Sequence, residues 1–223
     1  MTAPPTAEQV GERLTVVRGE IADLGVDPHA VTIVAVTKAL EVQVVVAAHD
    51  AGLIDIGENY AQELVAKAES PEVAERPDVR WHAIGRLQRN KVRLLAPYIT
   101  LWQAVDRLAL GTEIARRSAG ARVLVQVNVS GEDQKGGCAP DEAAPLVEEL
   151  RELGLSVEGL MGVASAGGGA TAAAEFARLR GLVDTIGLPI CSMGMSGDYR
   201  EAVAEGATML RLGTVLVGER PVR

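Results

Sequence analysis

Short runs of apolar, largely β-branched residues recur along the chain, separated by longer stretches in which apolar positions return every three or four residues. The runs fall at residues 31–36, 53–57, 79–85, 98–105, 122–129, 156–163, 189–195 and 208–213. Most are almost continuously apolar rather than alternating, which predicts strands covered on both faces. The stretches between them predict helices over residues 41–51, 60–68, 107–118, 140–153 and 172–186, with another beginning near Asn90. Asp106 and Asp141 stand where N-caps or first-turn acids belong, and Gly52, Gly120, Gly154 and Gly187 where helices should stop. A further amphipathic helix, over residues 7–24, precedes the first strand.

Strand alternating with helix roughly eight times requires a parallel sheet. A chain of 223 residues is close to the size of about 250 at which such units close into a barrel. The expected fold is therefore α/β, a single (β/α)8 TIM-type barrel over residues 1–223, with an extra N-terminal helix within residues 1–28. An open doubly wound sheet is the alternative. It needs a glycine fingerprint after the first strand, and the segment from Thr37 to Glu41 has none. The Gly-rich stretch at residues 165–170 lacks the Lys-Ser/Thr of a nucleotide loop and reads as a flexible connection.

Composition narrows the function classes. Thirty acidic against 22 basic residues give a net charge of −8, which argues against a nucleic-acid partner. The local basic group Arg86, Arg89, Lys91 and Arg93 reads as a solvated loop and helix start. Cys138 and Cys191 are far apart and only three histidines are present, so reduced thiols are expected and a metal site is not. The first residues carry no secretory pattern. The longest apolar runs fall well short of the length of about 20 residues that spans a bilayer. A cytoplasmic protein with no membrane contact is expected.

In a barrel the chemistry gathers at the C-terminal ends of the strands, and phosphate often sits on the loops after the seventh and eighth. Here those loops hold Ser192-Met-Gly-Met-Ser-Gly-Asp198 and Gly213-Thr214. Small residues would let the backbone approach an anion, and Ser196 and Thr214 would add hydroxyl donors; ordinary tight turns are the alternative. Lys38 stands just past the first strand on the same rim. In a shielded pocket its amine could be freed for imine formation, though a lysine there is more often a surface charge. Arg211 lies between Leu210 and Leu212 inside an apolar strand. It needs a partner, either a buried carboxylate or a ligand atom.

Ala35–Lys38 (AVTK), GENYAQE at 57–63, WHAIGRLQRNK at 81–91, QVNVSGEDQKGG at 126–137, GLMGV at 159–163, SMGMSGD at 192–198 and RLGTVLVGER at 211–220 occur in this order. With them the chain resembles the YggS/PROSC family of pyridoxal phosphate homeostasis proteins, relatives in fold of the alanine racemase barrel domain. The resemblance covers residues 31–220. It implies pyridoxal 5′-phosphate (PLP) as cofactor, held as a Schiff base on Lys38. It also implies that Arg211 faces the pyridine nitrogen, that Ser196, Gly213 and Thr214 form the phosphate cradle, and that Asn59 and His82 line the cofactor. His82 fits equally well as an ordinary inward-packed strand residue; Glu58, Tyr60 and Asn90 read as structural. Leu40 stands where many members carry a second lysine, Arg86 stands at a variable place, and Lys135 matches a lysine of the family. The implied role is to hold, regulate or deliver PLP without strong catalysis. Apo PLP-dependent enzymes are the candidate recipients, and a monomer is expected. A weak amino-acid racemase is the alternative, but it needs a second base that Tyr60, Tyr98 and Tyr199 do not obviously supply. A barrel aldolase using Lys38 is a further possibility.

Overall fold

The computed structural model describes residues 3–219; residues 1, 2 and 220–223, including Arg220 of the last family block, lie outside it. Eight parallel strands close into a barrel in sequence order: β1 Thr32–Val36, β2 Asp55–Glu58, β3 Arg80–Ala83, β4 Ile99–Val105, β5 Arg122–Val127, β6 Ser156–Gly162, β7 Ile190–Ser192 and β8 Met209–Leu212. The helices are α1 Ala7–Asp23, α2 Val42–Asp50, α3 Ala61–Ala68, α4 Pro71–Ala74, α5 Arg89–Leu95, α6 Leu108–Arg117, α7 Ala143–Glu152, α8 Gly169–Ile186, α9 Tyr199–Ala204 and α10 Thr214–Val217. The barrel closes where β8 pairs with β1, with Arg211 beside Val34 and Leu212 beside Ala35. This is the TIM-type fold the alternating pattern predicts, and the open-sheet alternative falls away.

Each strand sends alternate side chains inward and outward. Val34, Leu101, Leu124, Met161 and Met209 pack together inside the barrel. The larger cluster, which includes Ile56, Trp102, Leu160 and Phe176, fills the layer between strands and helices. The N-terminal helix starts on a capping box: Gln9 N–H donates to Thr6 Oγ1 at 3.2 Å, and Thr6 N–H donates to Gln9 Oε1 at 3.0 Å. Its buried stripe, Val10, Leu14, Val17 and Ile21, has helical spacing. Arg13 donates to the Leu216 carbonyl at 3.0 Å and so ties α1 to α10.

Local details depart from the pattern. Arg107, not Asp106, is the N-cap of α6 and makes no side-chain capping bond; Asp106 instead accepts from the Arg107 guanidinium. The helix expected from residue 172 begins at Gly169 and takes in the end of the 165–170 stretch. Its beginning is tied down, because Ser165 donates through both N–H and O–H to the buried Glu175 carboxylate at 2.6 Å.

Candidate functional site

At the C-terminal rim, beside the β8–β1 seam, lies a cavity of about 370 Å³. Lys38, Asn59, Ser196, Arg211, Gly213 and Thr214 all line it, among apolar walls that include Ile84, Val163 and Val217. The described lining holds one lysine and one arginine but no Asp, Glu, His or Tyr. In a chain with a net charge of −8, that lining is locally cationic and complementary to an anion.

The turn carrying Lys38 is clamped from the outer side of the barrel. Thr37 is fully buried, and its hydroxyl donates to Glu58 Oε1 at 2.6 Å. Lys67, on the inner face of α3, donates to that same oxygen at 2.5 Å and to the Thr37 carbonyl at 2.7 Å. One residue past Lys38, the Ala39 N–H donates to Glu63 Oε2 at 2.8 Å. Ala39 holds φ of +60°, a conformation uncommon outside glycine. The Glu58 side chain has no solvent exposure, and its Oε2 has no hydrogen-bond partner among the described residues. Burial pushes its carboxyl above the usual range, against the opposing charge and hydrogen bonds of Lys67 and Thr37.

On the adjoining wall, the loops after β7 and β8 are joined through Ser196. Its Oγ accepts from the N–H of Gly213 at 3.2 Å and of Val215 at 3.3 Å. Two accepted bonds occupy the hydroxyl's lone pairs and leave its O–H as the donor. Asp198 folds back to accept from Met195 N–H at 2.6 Å and braces the turn. Gly194 holds φ of +90°, and an added Cβ would lie 2.6 Å from Ala202 Cβ, so only glycine brings this turn against α9. Gly85 plays the corresponding part for Asn59, since a Cβ there would lie 2.7 Å from the Asn59 carbonyl oxygen. Gly197 also lines the cavity, and an added Cβ would meet no atom within 4 Å. Two hydroxyls, a guanidinium and a primary amine in one cavity suit a ligand that carries both an anionic group and a group reactive toward amines.

Arg211 is buried and holds neutral partners: it donates to Ser192 Oγ and to the Gly162 carbonyl, each at 2.8 Å. Burial pulls the guanidinium down to about 10, with Asp198's charge partly opposing. Behind it a line of polar side chains runs down the barrel axis. Ser192 donates to Gln103 Oε1 at 2.7 Å, Gln103 Nε2 lies 2.8 Å from His82 Nδ1, and His82 Nε2 lies 2.9 Å from Asp55 Oδ1. His82 is therefore seated deeper than the cavity, is 2 % exposed, and is absent from the described lining. Its geometry is that of the inward-packed strand residue. Lys135 lies outside the described lining as well, donating to Glu132 and to the Ala164 carbonyl.

The sequence reading missed Lys67, Gln103, Ser192 and Asp55. Lys67 carried a signal: it falls three positions after Leu64 on the buried stripe of α3, where a lysine needs a buried partner. Gln103 and Ser192 carried a weaker one, as polar residues in otherwise apolar runs.

A family model described as the alanine racemase N-terminal domain matches residues 23–221. The pyridoxal phosphate homeostasis protein of Pseudomonas aeruginosa is 40 % identical over 222 residues, covering 96 % of this chain and 95 % of that one. Among solved structures, PipY of Synechococcus elongatus with PLP bound superposes with a TM-score of 0.80 at 32 % identity, over 94 % of this chain and all of that one. An alanine racemase of Clostridium difficile superposes with a TM-score of 0.70 at 17 % identity, over 95 % of this chain but 58 % of that one, a likeness of fold.

Proposed function

The chain belongs to the alanine racemase N-terminal domain family, within it to the pyridoxal phosphate homeostasis proteins, and on that premise we propose that it binds PLP and serves intracellular PLP homeostasis. The observation that carries the proposal is the cavity that gathers Lys38, Arg211 and the Ser196–Gly213–Thr214 turns without one acidic group among its described lining residues.

When bound, PLP supplies an aldehyde that condenses reversibly with a primary amine, a phosphate and an electron-withdrawing pyridine ring. Lys38 is the amine. The Thr37 and Ala39 backbone that carries it is held by Lys67 and Glu63, so the side chain extends from a fixed base. Ser196 offers its O–H, and Thr214 its hydroxyl, to the phosphate. Arg211 is assigned to the pyridine nitrogen. A cation there opposes protonation of that nitrogen and weakens the ring as an electron sink. The described lining provides no second acid–base group opposite Lys38, which supports holding and release over carbanion chemistry. We extend the proposal to a cytoplasmic monomer that hands PLP to apo-enzymes. Light scattering tests the first part, and a pull-down of PLP-dependent enzymes with and without cofactor tests the second.

Titration of the protein with PLP should produce a visible absorption band that Lys38→Ala abolishes, and borohydride reduction followed by peptide mapping should label Lys38. A label on another lysine overturns the assignment of Lys38, and absence of any band overturns the proposal. Incubation of the loaded protein with a panel of amino acids should give stoichiometric spectral shifts; multiple turnover would favour the racemase-like alternative.

A further inference from the structure

The polar line behind Arg211 has a direction. The Gln103 amide nitrogen can only donate, so His82 Nδ1 must accept and carry no proton. Asp55 accepts from both His82 and Arg80. Burial raises its carboxyl, but those two hydrogen bonds together with the positive charge beside it outweigh burial and hold it below its usual value. It therefore carries charge, and His82 Nε2 donates to it. The second hydrogen on Gln103 Nε2 faces the Met209 thioether at 3.2 Å, which supports this orientation of the amide. From mouth to floor each group donates to the next: Arg211 to Ser192, Ser192 to Gln103, Gln103 to His82, His82 to Asp55. A buried cation at the rim is thus linked to a buried anion near the floor by three neutral side chains, all polarised one way.

We propose that Ser192, Gln103 and His82 are positioning residues for Arg211, forming a relay that carries the charge of Asp55 to the guanidinium and fixes the plane it presents to the cofactor. The inference rests on the reading of the cavity as a PLP site. The Ser192 proton is committed to Gln103, so its oxygen stays an acceptor for Arg211. Hydrogen bonds aligned head to tail polarise one another, and Ser192 is thereby a stronger acceptor than an isolated serine. Reversing any member puts donor against donor or acceptor against acceptor, and the error reaches Arg211.

Two variants and two readouts test the relay in the full-length protein. In histidine-labelled wild type, nitrogen NMR should show His82 neutral, with Nε2 protonated and Nδ1 bare. Gln103→Glu keeps the volume but exchanges the donor for a carboxylate, and should place a proton on both ring nitrogens. Ser192→Ala deletes one small hydroxyl. Both variants should bind PLP roughly tenfold or more weakly, the size of one lost hydrogen bond to a charged group, and should displace the absorption maximum of the bound cofactor. Wild type that takes up no PLP overturns the reading of the cavity and this purpose of the relay with it. Wild type that binds PLP while both variants match its affinity and absorption maximum overturns the relay alone. A wild-type His82 protonated on Nδ1 overturns the stated polarity.

Discussion

Replacing Lys67 by Met keeps the aliphatic stem that packs in α3 and removes the ammonium that donates to Glu58 at 2.5 Å and to the Thr37 carbonyl at 2.7 Å. Glu58 is then a carboxylate with no side-chain exposure, one oxygen already unpartnered, and no cation beside it. Removing one partner of a buried pair costs about 3–5 kcal/mol. A chain of this size loses about 2–4 °C of Tm per kcal/mol, so melting at neutral pH should fall by about 6–20 °C. The loss should depend on pH with a definite sign. Burial already raises Glu58 above its ordinary value of 4.5, and Lys67 opposes that rise through charge and a hydrogen bond; without Lys67 the carboxyl rises further. A carboxyl whose folded value is raised contributes stability that is fully present below its unfolded value and is lost as pH climbs through the folded value. The gap between wild type and Lys67→Met should therefore be smallest near pH 4.5 and widest at pH 8. The double variant Glu58→Gln/Lys67→Met, which removes the charge as well as its partner, should recover most of the loss. Melts followed by far-ultraviolet circular dichroism at three pH values decide it. A gap that stays constant with pH, or a double variant as weak as the single, refutes the argument that charge burial sets the cost.

Two other positions give sharp expectations. Gly194→Ala forces a side chain into φ of +90° and to 2.6 Å from Ala202, which should cost about 2–4 kcal/mol and loosen PLP binding by displacing the Ser196 turn; denaturant melts and PLP titration check both effects. Burial pushes the Cys138 thiol up to about 12 and the Cys191 thiol up to about 11. A thiol reagent at pH 8 should thus label neither cysteine in the native protein and both once it is denatured, as counted by mass spectrometry.

The barrel was legible because its strands are buried on both faces and write themselves as apolar runs. Where tertiary contacts take over, the runs overstate the strands. The run at 189–195 yields only Ile190–Ser192, because Gly194 turns the chain left-handed and Asp198 captures the Met195 N–H. Short helices escaped the periodicity: Pro71–Ala74 has four residues and Tyr199–Ala204 six, too few to show a repeat, although Ser70 and Pro71 form a readable start signal. Six of the expected site residues share the cavity because five of them lie on the loops that follow strands and the sixth, Arg211, points inward from near the C-terminal end of β8, where the barrel gathers its loops. His82, two residues into β3, has its side chain committed to Asp55 and Gln103 instead. The Lys67–Glu58 pair and the axial relay were not legible, since each partner comes from a different strand or helix and only closure decides who meets whom.

The seam between β8 and β1 has a consequence for how the protein is made. Lys38 follows the first strand, while Ser196, Arg211, Gly213 and Thr214 come from the last two units. During synthesis the amine emerges early and waits, exposed, until the final strand is available to pair with β1. Domains fold as units behind the ribosome at about 5–20 residues per second, so roughly ten seconds or more separate the two halves of the pocket. Tight uptake of the cofactor is thus a report that the ring has closed, since nascent or truncated chains lacking β8 also lack Arg211, Gly213 and Thr214.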